Sequence, residues 1–143
     1  MTVPFAHHTG IDKLTEDVLT LRNRTEVHNH LGSIHAGALY TLAESQSGLC
    51  LQRLFPALEG VVVPLLRDGS MKYRKPVTDA VYAIADVSDE ALERFEEMFA
   101  RKGRGSITVT VVLKDDSDAV CAEGTFHWYV QKVEDRSVQN TEQ

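Results

Sequence analysis

The chain has little of what would make it anything but a globular domain. Its 2 cysteines, Cys50 and Cys121, are far apart and form no C-x-x-C pair. That excludes a disulfide-rich scaffold and fits two free thiols in a reducing compartment. With 4 prolines and 9 glycines it is neither a collagen nor a low-complexity linker. The longest apolar run, Val61 to Leu66, spans six residues and contains Pro64, whereas a membrane helix needs about 20. No membrane partner is expected. The start, Met1-Thr2-Val3-Pro4, has no basic cluster followed by an apolar stretch. No signal peptide is expected, and the expected location is the cytoplasm. Basic residues are in deficit, 15 against 21 acidic, for a net charge of −6. A nucleic-acid partner is therefore not expected, although Lys72, Arg74 and Lys75 make a local basic patch.

Several catalytic signatures are also missing. There is no phosphate-binding P-loop. Gly103-x-Gly105 lacks a third glycine and precedes a strand pattern, so it is no dinucleotide fingerprint. Ser47-Gly48 is no nucleophile elbow, because Ser45 stands where the first glycine should be.

What is present suits one domain over residues 1–133. The 143 residues are 43% hydrophobic and 25% charged. A chain of this length buries about two thirds of its unfolded surface without a staple. The tail 134–143 has almost no apolar residues and is expected to be disordered. The first ten residues read as irregular. Thr9 to Arg24 reads as an amphipathic helix with Ile11, Leu14, Val18, Leu19 and Leu21 as its apolar stripe, and Arg24 to Leu31 as a strand. His35 to Phe55 is the strongest helix, dense in small residues and stopped by Pro56. Its Gly37 and Gly48 each cost about 1 kcal/mol of helix propensity against Ala, so something else favours them. Val61–Leu66 and Ser70–Arg74 read as two strands separated at Asp68-Gly69, and Val77–Val87 as another. Ser88 caps a short helix over Asp89–Lys102, acidic at its start and basic before Gly103. Ser106–Lys114 and Ala119–Val133 close the chain as a long hairpin. The order is that of an α+β fold, without βαβ alternation.

One segment carries chemistry. Asn29, His35 and small residues surround the N-terminus of the long helix, and Glu44 sits mid-helix among apolar and small neighbours. A helix start offers unpaired N–H groups and partial positive charge, which suits an anion or an oxyanion. Glu44 is either a solvated carboxylate or a working one. His28 and His30 would share a strand face, but no carboxylate or cysteine completes a metal site, and none is expected.

Asn29 and His35 are six positions apart, two small residues follow the His, and Glu44 comes nine after it. This spacing resembles the hotdog-fold acyl-CoA thioesterases of the phenylacetate-pathway-like branch or a related thioesterase branch. The stretch Met71-Lys72-Tyr73-Arg74-Lys75-Pro76 resembles the family's strand ending in Tyr-x-x-Pro, and Ala122-x-Gly124 before aromatics resembles its last strand. The likeness covers about residues 21–133. The family's first glycine is Ala36 here and its second is Gly37. A Ser or Thr placed after the central helix in some relatives falls on Leu66.

The resemblance implies a curved antiparallel sheet wrapped around one long helix, with the helix at 89–102 as an insertion. It implies hydrolysis of an acyl-CoA or acyl-carrier thioester, with coenzyme A only as part of the substrate and no other cofactor. The N–H of Ala36 or Gly37 would hold the oxyanion. Asn29 would orient water or the carbonyl, His35 would position the thioester, and Glu44 would act as base or nucleophile. Tyr40 would line the substrate site. Lys72, Arg74 and Lys75 would meet the phosphates of coenzyme A, unless they only keep a strand edge charged.

Spacing adds an argument of its own. Nine helical residues span about 13.5 Å, so His35 and Glu44 of one chain cannot serve one carbon. Two helices packed antiparallel about a twofold axis would bring them together, in a homodimer or a tetramer built from it. Two alternatives share the fold. A dehydratase or hydratase would place its carboxylate about five residues after the helix glycine, where Glu44 is seven after Gly37. An acyl-CoA-binding sensor would bind the thioester and hydrolyse none.

Overall fold

The computed structural model describes residues 3–133; the tail expected to be disordered lies outside them. The elements are helix α1 (Pro4–Thr9), strands β1 (Asp12–Lys13) and β2 (Leu19–Arg22), the long helix α2 (Ala36–Leu54), strands β3 (Val62–Tyr73) and β4 (Ala80–Asp86), helix α3 (Asp89–Lys102), and strands β5 (Arg104–Asp115) and β6 (Val120–Lys132). The strands form one antiparallel sheet in the order β1-β2-β4-β5-β6-β3. One face of it curls around α2. Val81 and Ala83, Ile107 to Leu113 at every second position, and Phe126, Trp128 and Val130 are buried there against Leu39, Leu42, Ala43 and Leu51. This is the α+β hotdog architecture that the sequence resemblance implies.

The first third of the chain differs from its sequence reading. Residues 4–9 are helical, and Gly10, at φ 92°, ends that helix. The expected helix over Thr9–Arg24 is instead a small hairpin. Its turn is closed by Leu14 N–H and Thr15 N–H donating to Val18 O, at 2.8 and 3.2 Å. Leu19 and Leu21 fit either period, and pairing of β2 with β4 decides for the strand by burying Leu21 completely. Gln46 of α2 then pins the hairpin from a distance: its Oε1 accepts Leu19 N–H and its Nε2 donates to Asp17 O, both at 2.8 Å. The expected strand at Arg24–Leu31 is a 3₁₀ turn over Thr25–Val27 followed by a loop, with one bridge between His28 and Ile34.

The two strands expected on either side of Asp68-Gly69 are one, β3, with a register shift between Leu66 and Asp68. Gly69 has a steric reason: a Cβ there would collide with the Tyr40 hydroxyl. Helix α3 begins and ends as expected, with Ser88 Oγ accepting Ala91 N–H at 3.1 Å and Gly103 at φ 72°. Phe95 of α3 is buried against Phe55, just past the end of α2, at 5.0 Å between ring centroids. No helix among the described residues is long and apolar enough to cross a membrane.

Candidate active site

The start of α2 is built by its flanks. Ile34 N–H donates to Val77 O at 2.9 Å and His35 N–H to Val27 O at 2.7 Å, which fixes where the helix begins. His35 is the N-cap, and its Nδ1 accepts Gly37 N–H at 2.8 Å. A Cβ on Gly37 would lie 3.1 Å from that nitrogen, so glycine makes room for the imidazole. Acceptance by Nδ1 requires the tautomer with its proton on Nε2, leaving Nε2–H to donate outward. Gly37 N–H is thus committed, while Ala36 N–H has no acceptor among the described residues.

The loop before the helix is held by Asn29. Its Oδ1 accepts Leu31 N–H and Ser33 N–H at 2.9 and 3.1 Å, and its Nδ2 donates to Ser33 Oγ at 2.9 Å. The carbonyl end of Asn29 is therefore spent on its own loop, and one amide hydrogen remains. Asn29, Ser33, Ala36, Tyr73, Arg74 and Lys75 line a cleft of about 280 Å³. His35 and Gly37 line a second cleft, of about 400 Å³, with His8, Arg24 and His28. The helix start thus divides the expected residues: Asn29 and Ala36 lie on one side, His35 and Gly37 on the other.

Glu44 lines neither cleft. It lies 2.5 turns further along α2, half-buried, and its carboxylate has no hydrogen-bond or ion-pair partner among the described residues. Burial alone pushes its pKa above the ordinary carboxylate value. Tyr40 packs edge-on against Phe126 at 5.4 Å. Tyr73 donates its hydroxyl to Ala36 O at 3.0 Å, tying the end of β3 to the helix start; burial raises the pKa of that phenol.

The basic patch is largely neutralised within the chain. Arg74 pairs with Glu123, and Lys75 with Asp115 at 2.7 Å. Lys72 has no ion pair among the described residues. His28 and His30 do not share a strand face, because no strand forms there. No group of three or more His, Cys, Asp or Glu among the described residues is placed to hold a metal. Sequence reading missed Ser33, whose one signal was its place in a Gly-Ser turn. It quoted Tyr73 only as part of a strand motif.

Residues 8–130 match the family described as Domain of unknown function (DUF4442). The chain belongs to the DUF4442 family. Solved structures share the fold of this DUF4442 chain at low identity. One is a protein of unknown function from Pseudomonas aeruginosa described as a probable thioesterase, 22% identical, with a TM-score of 0.76 over 92% of this chain and 89% of that one. A Bacillus halodurans protein, solved with CoA, is 22% identical with a TM-score of 0.70, over 91% of this chain and 77% of that one. A thioesterase enzyme from Staphylococcus aureus, solved as a mutant, is 16% identical with a TM-score of 0.69, over 90% and 99%. No curated protein matches this DUF4442 chain in sequence.

Proposed function

We propose that the chain is an acyl-CoA thioesterase of the cytoplasm that works as a homodimer, or a tetramer built from it. The observation that carries this reading is Glu44: a half-buried carboxylate without a partner, raised in pKa, in the middle of the central helix of a hotdog fold. A general base works best with a pKa near the operating pH, and burial moves Glu44 in that direction. The solved structures of the same fold that are described as thioesterases, and the one solved with CoA, support the reaction class. The phenylacetate-pathway-like branch is the one the motif spacing favours.

In this reading the thioester oxygen accepts the N–H of Ala36, where negative charge develops in the tetrahedral state. His35, on the other side of the helix start, positions the thioester indirectly, by holding Gly37 N–H and so fixing the turn that presents Ala36 N–H, and Asn29 uses its remaining amide hydrogen to orient water. Glu44 of the partner subunit takes a proton from that water as its oxygen bonds to the carbonyl carbon. The C–S bond then breaks, the proton passes to sulfur, and a carboxylic acid and free CoA leave. Direct attack by Glu44 to give an anhydride, which water then opens, yields the same products. No cofactor is required. Lys72 is the patch residue without an ion pair among the described residues, so its charge is the one open to a CoA phosphate, while Arg74 and Lys75 line the cleft with partners of their own.

The free edge of β3 supports the dimer. It is a long edge strand, and Val63 and Leu65 on it are 44% and 50% exposed. An exposed apolar edge of that length seeks another strand, and a second copy supplies one about a twofold axis.

The test is release of free thiol from a panel of acyl-CoA thioesters by wild type and Glu44→Gln. Turnover by wild type and a loss of about a hundredfold in the variant are expected. Binding of acyl-CoA without release of thiol by either protein would replace the enzyme with an acyl-CoA-binding protein.

A further inference from the structure

Glu44, Gly48 and Gln52 follow one another at four-residue steps, so they lie on one face of α2, each a turn beyond the last. Beside Gly48 and Gln52 that face opens on a cavity of about 80 Å³ whose walls include Leu51, Phe55, Val62, Pro64 and Val130. Gly48 is not there for want of room in the core. A Cβ at that position would meet only the Trp128 ring, at an ordinary 3.6 Å. The missing side chain instead leaves the cavity wall bare at Gly48, the lining residue of α2 that is nearest to Glu44, one helical turn away. Phe55 is another of the walls, and it is held in place by Phe95, which stacks in turn on Phe99 at 5.5 Å. Phe95 is 1% exposed, so the half-buried Phe55 is backed by the packed core. Helix α3 therefore backs the Phe55 wall through Phe95.

We infer that this cavity takes the tail of the substrate's acyl group, and that it limits the length of the aliphatic chain. The inference rests on the thioesterase reading for the position of the scissile carbon beside Glu44. The cavity is about half the roughly 150 Å³ that lets an apolar cavity hold benzene, which leaves room for about three or four carbons beyond the roughly four that reach it from Glu44, one helical turn away. Its walls are apolar over most of their area, so the occupant is a hydrocarbon and not a hydroxylated or charged group. Gly48 and Phe55, the latter backed by α3, are the walls that limit how much chain the cavity holds.

The experiment measures binding with S-alkyl-CoA thioethers, which cannot be hydrolysed, so the readout does not depend on catalysis. Calorimetric affinities are compared for CoA and its S-ethyl, S-butyl, S-hexyl and S-decyl thioethers. Each buried methylene tightens binding about fourfold. The affinity is expected to rise about tenfold or more from S-butyl to S-hexyl and to level off before S-decyl. Gly48→Leu should abolish the rise while leaving the affinity for CoA unchanged. Phe55→Ala should move the plateau to longer chains, an opposite effect that a merely misfolded variant would not give. A steady gain out to S-decyl in wild type, or a chain-length profile that Gly48→Leu leaves untouched, overturns the inference. Chain-length dependence of the expected form in a protein that hydrolyses no thioester keeps the cavity assignment and removes the enzyme. Failure of CoA and every thioether to bind removes both.

Discussion

His35 holds the N–H of Gly37 on its Nδ1 at 2.8 Å, and this leaves Ala36 as the residue with the unpaired donor at the start of α2. Proline tests that donor cleanly. It is well tolerated at the first position of a helix, because the N–H it lacks has no intrahelical partner there. His35 already has φ −61° and ψ 139°, a conformation compatible with a following proline. Ala36→Pro should therefore fold with an unchanged Tm and lose about 100- to 1,000-fold in kcat, the usual cost of one oxyanion donor. Thiol-release kinetics beside a thermal melt checks both halves. A variant that keeps its kcat would show that the oxyanion is held elsewhere.

Glu44 predicts opposite responses of activity and stability to pH. Burial raises its folded pKa above the unfolded value, so the folded state favours the neutral acid. Activity that needs the carboxylate should rise as pH rises through the folded pKa. Stability should run the other way. Between the unfolded and folded pKa values the native state binds more protons, so stability from this group falls as pH rises. Glu44→Gln removes the penalty. It should match the wild-type Tm at acid pH, exceed it at neutral pH, and be inactive throughout. Melts across a pH series check this; a Tm for Glu44→Gln at or below wild type at neutral pH would show that the carboxylate has a partner.

Helices α2 and α3 are legible because local signals agree with tertiary demands, whereas α1 is not. Ser88, Asp89, Glu90 and Gly103 bracket α3 by capping alone. The leucines and alanines of α2 repeat at helical spacing, and Pro56 stops them. The residues before α2 were not legible. Ile11, Leu14, Val18 and Leu21 satisfy a helical stripe, but pairing with β4 and the reach of Gln46 from α2 make a hairpin, and neither acts locally. The site was legible as spacing and not as wiring. Asn29, His35 and Glu44 stand out in the sequence. That His35 spends Gly37 N–H, that Asn29 spends its carbonyl on its loop, and that Glu123 and Asp115 take up Arg74 and Lys75 follow from folded contacts.

Ser47 links the helix to the sheet, its Oγ accepting Trp128 Nε1–H at 2.9 Å in the core while donating to Glu44 O at 2.7 Å. Ser47→Ala leaves the indole N–H buried and unpaired, which costs about 1–3 kcal/mol. Trp128 is the single tryptophan of the chain, so urea unfolding followed by its fluorescence reports the loss directly. Because Ser47 follows Glu44 by three residues on α2, a drop in kcat with little change in KM is also expected. Unchanged stability would mean that water replaces the hydroxyl.

A site shared between subunits makes a prediction that no single-chain site makes. Ala36→Pro and Glu44→Gln each inactivate both sites of their own dimer. In a mixed dimer one site carries both defects and the other carries neither. Random exchange of equal amounts makes half the dimers mixed, each with one intact site of two, so activity should return to about one quarter of wild type. The recovery should be slow and should follow subunit exchange. Leu65→Lys, on the free edge of β3, should yield monomers by sedimentation that neither hydrolyse thioester nor complement the other variants. If the two inactive proteins stay inactive after full exchange, Glu44 and Ala36 of one chain serve one site, and the dimer is not needed to complete it.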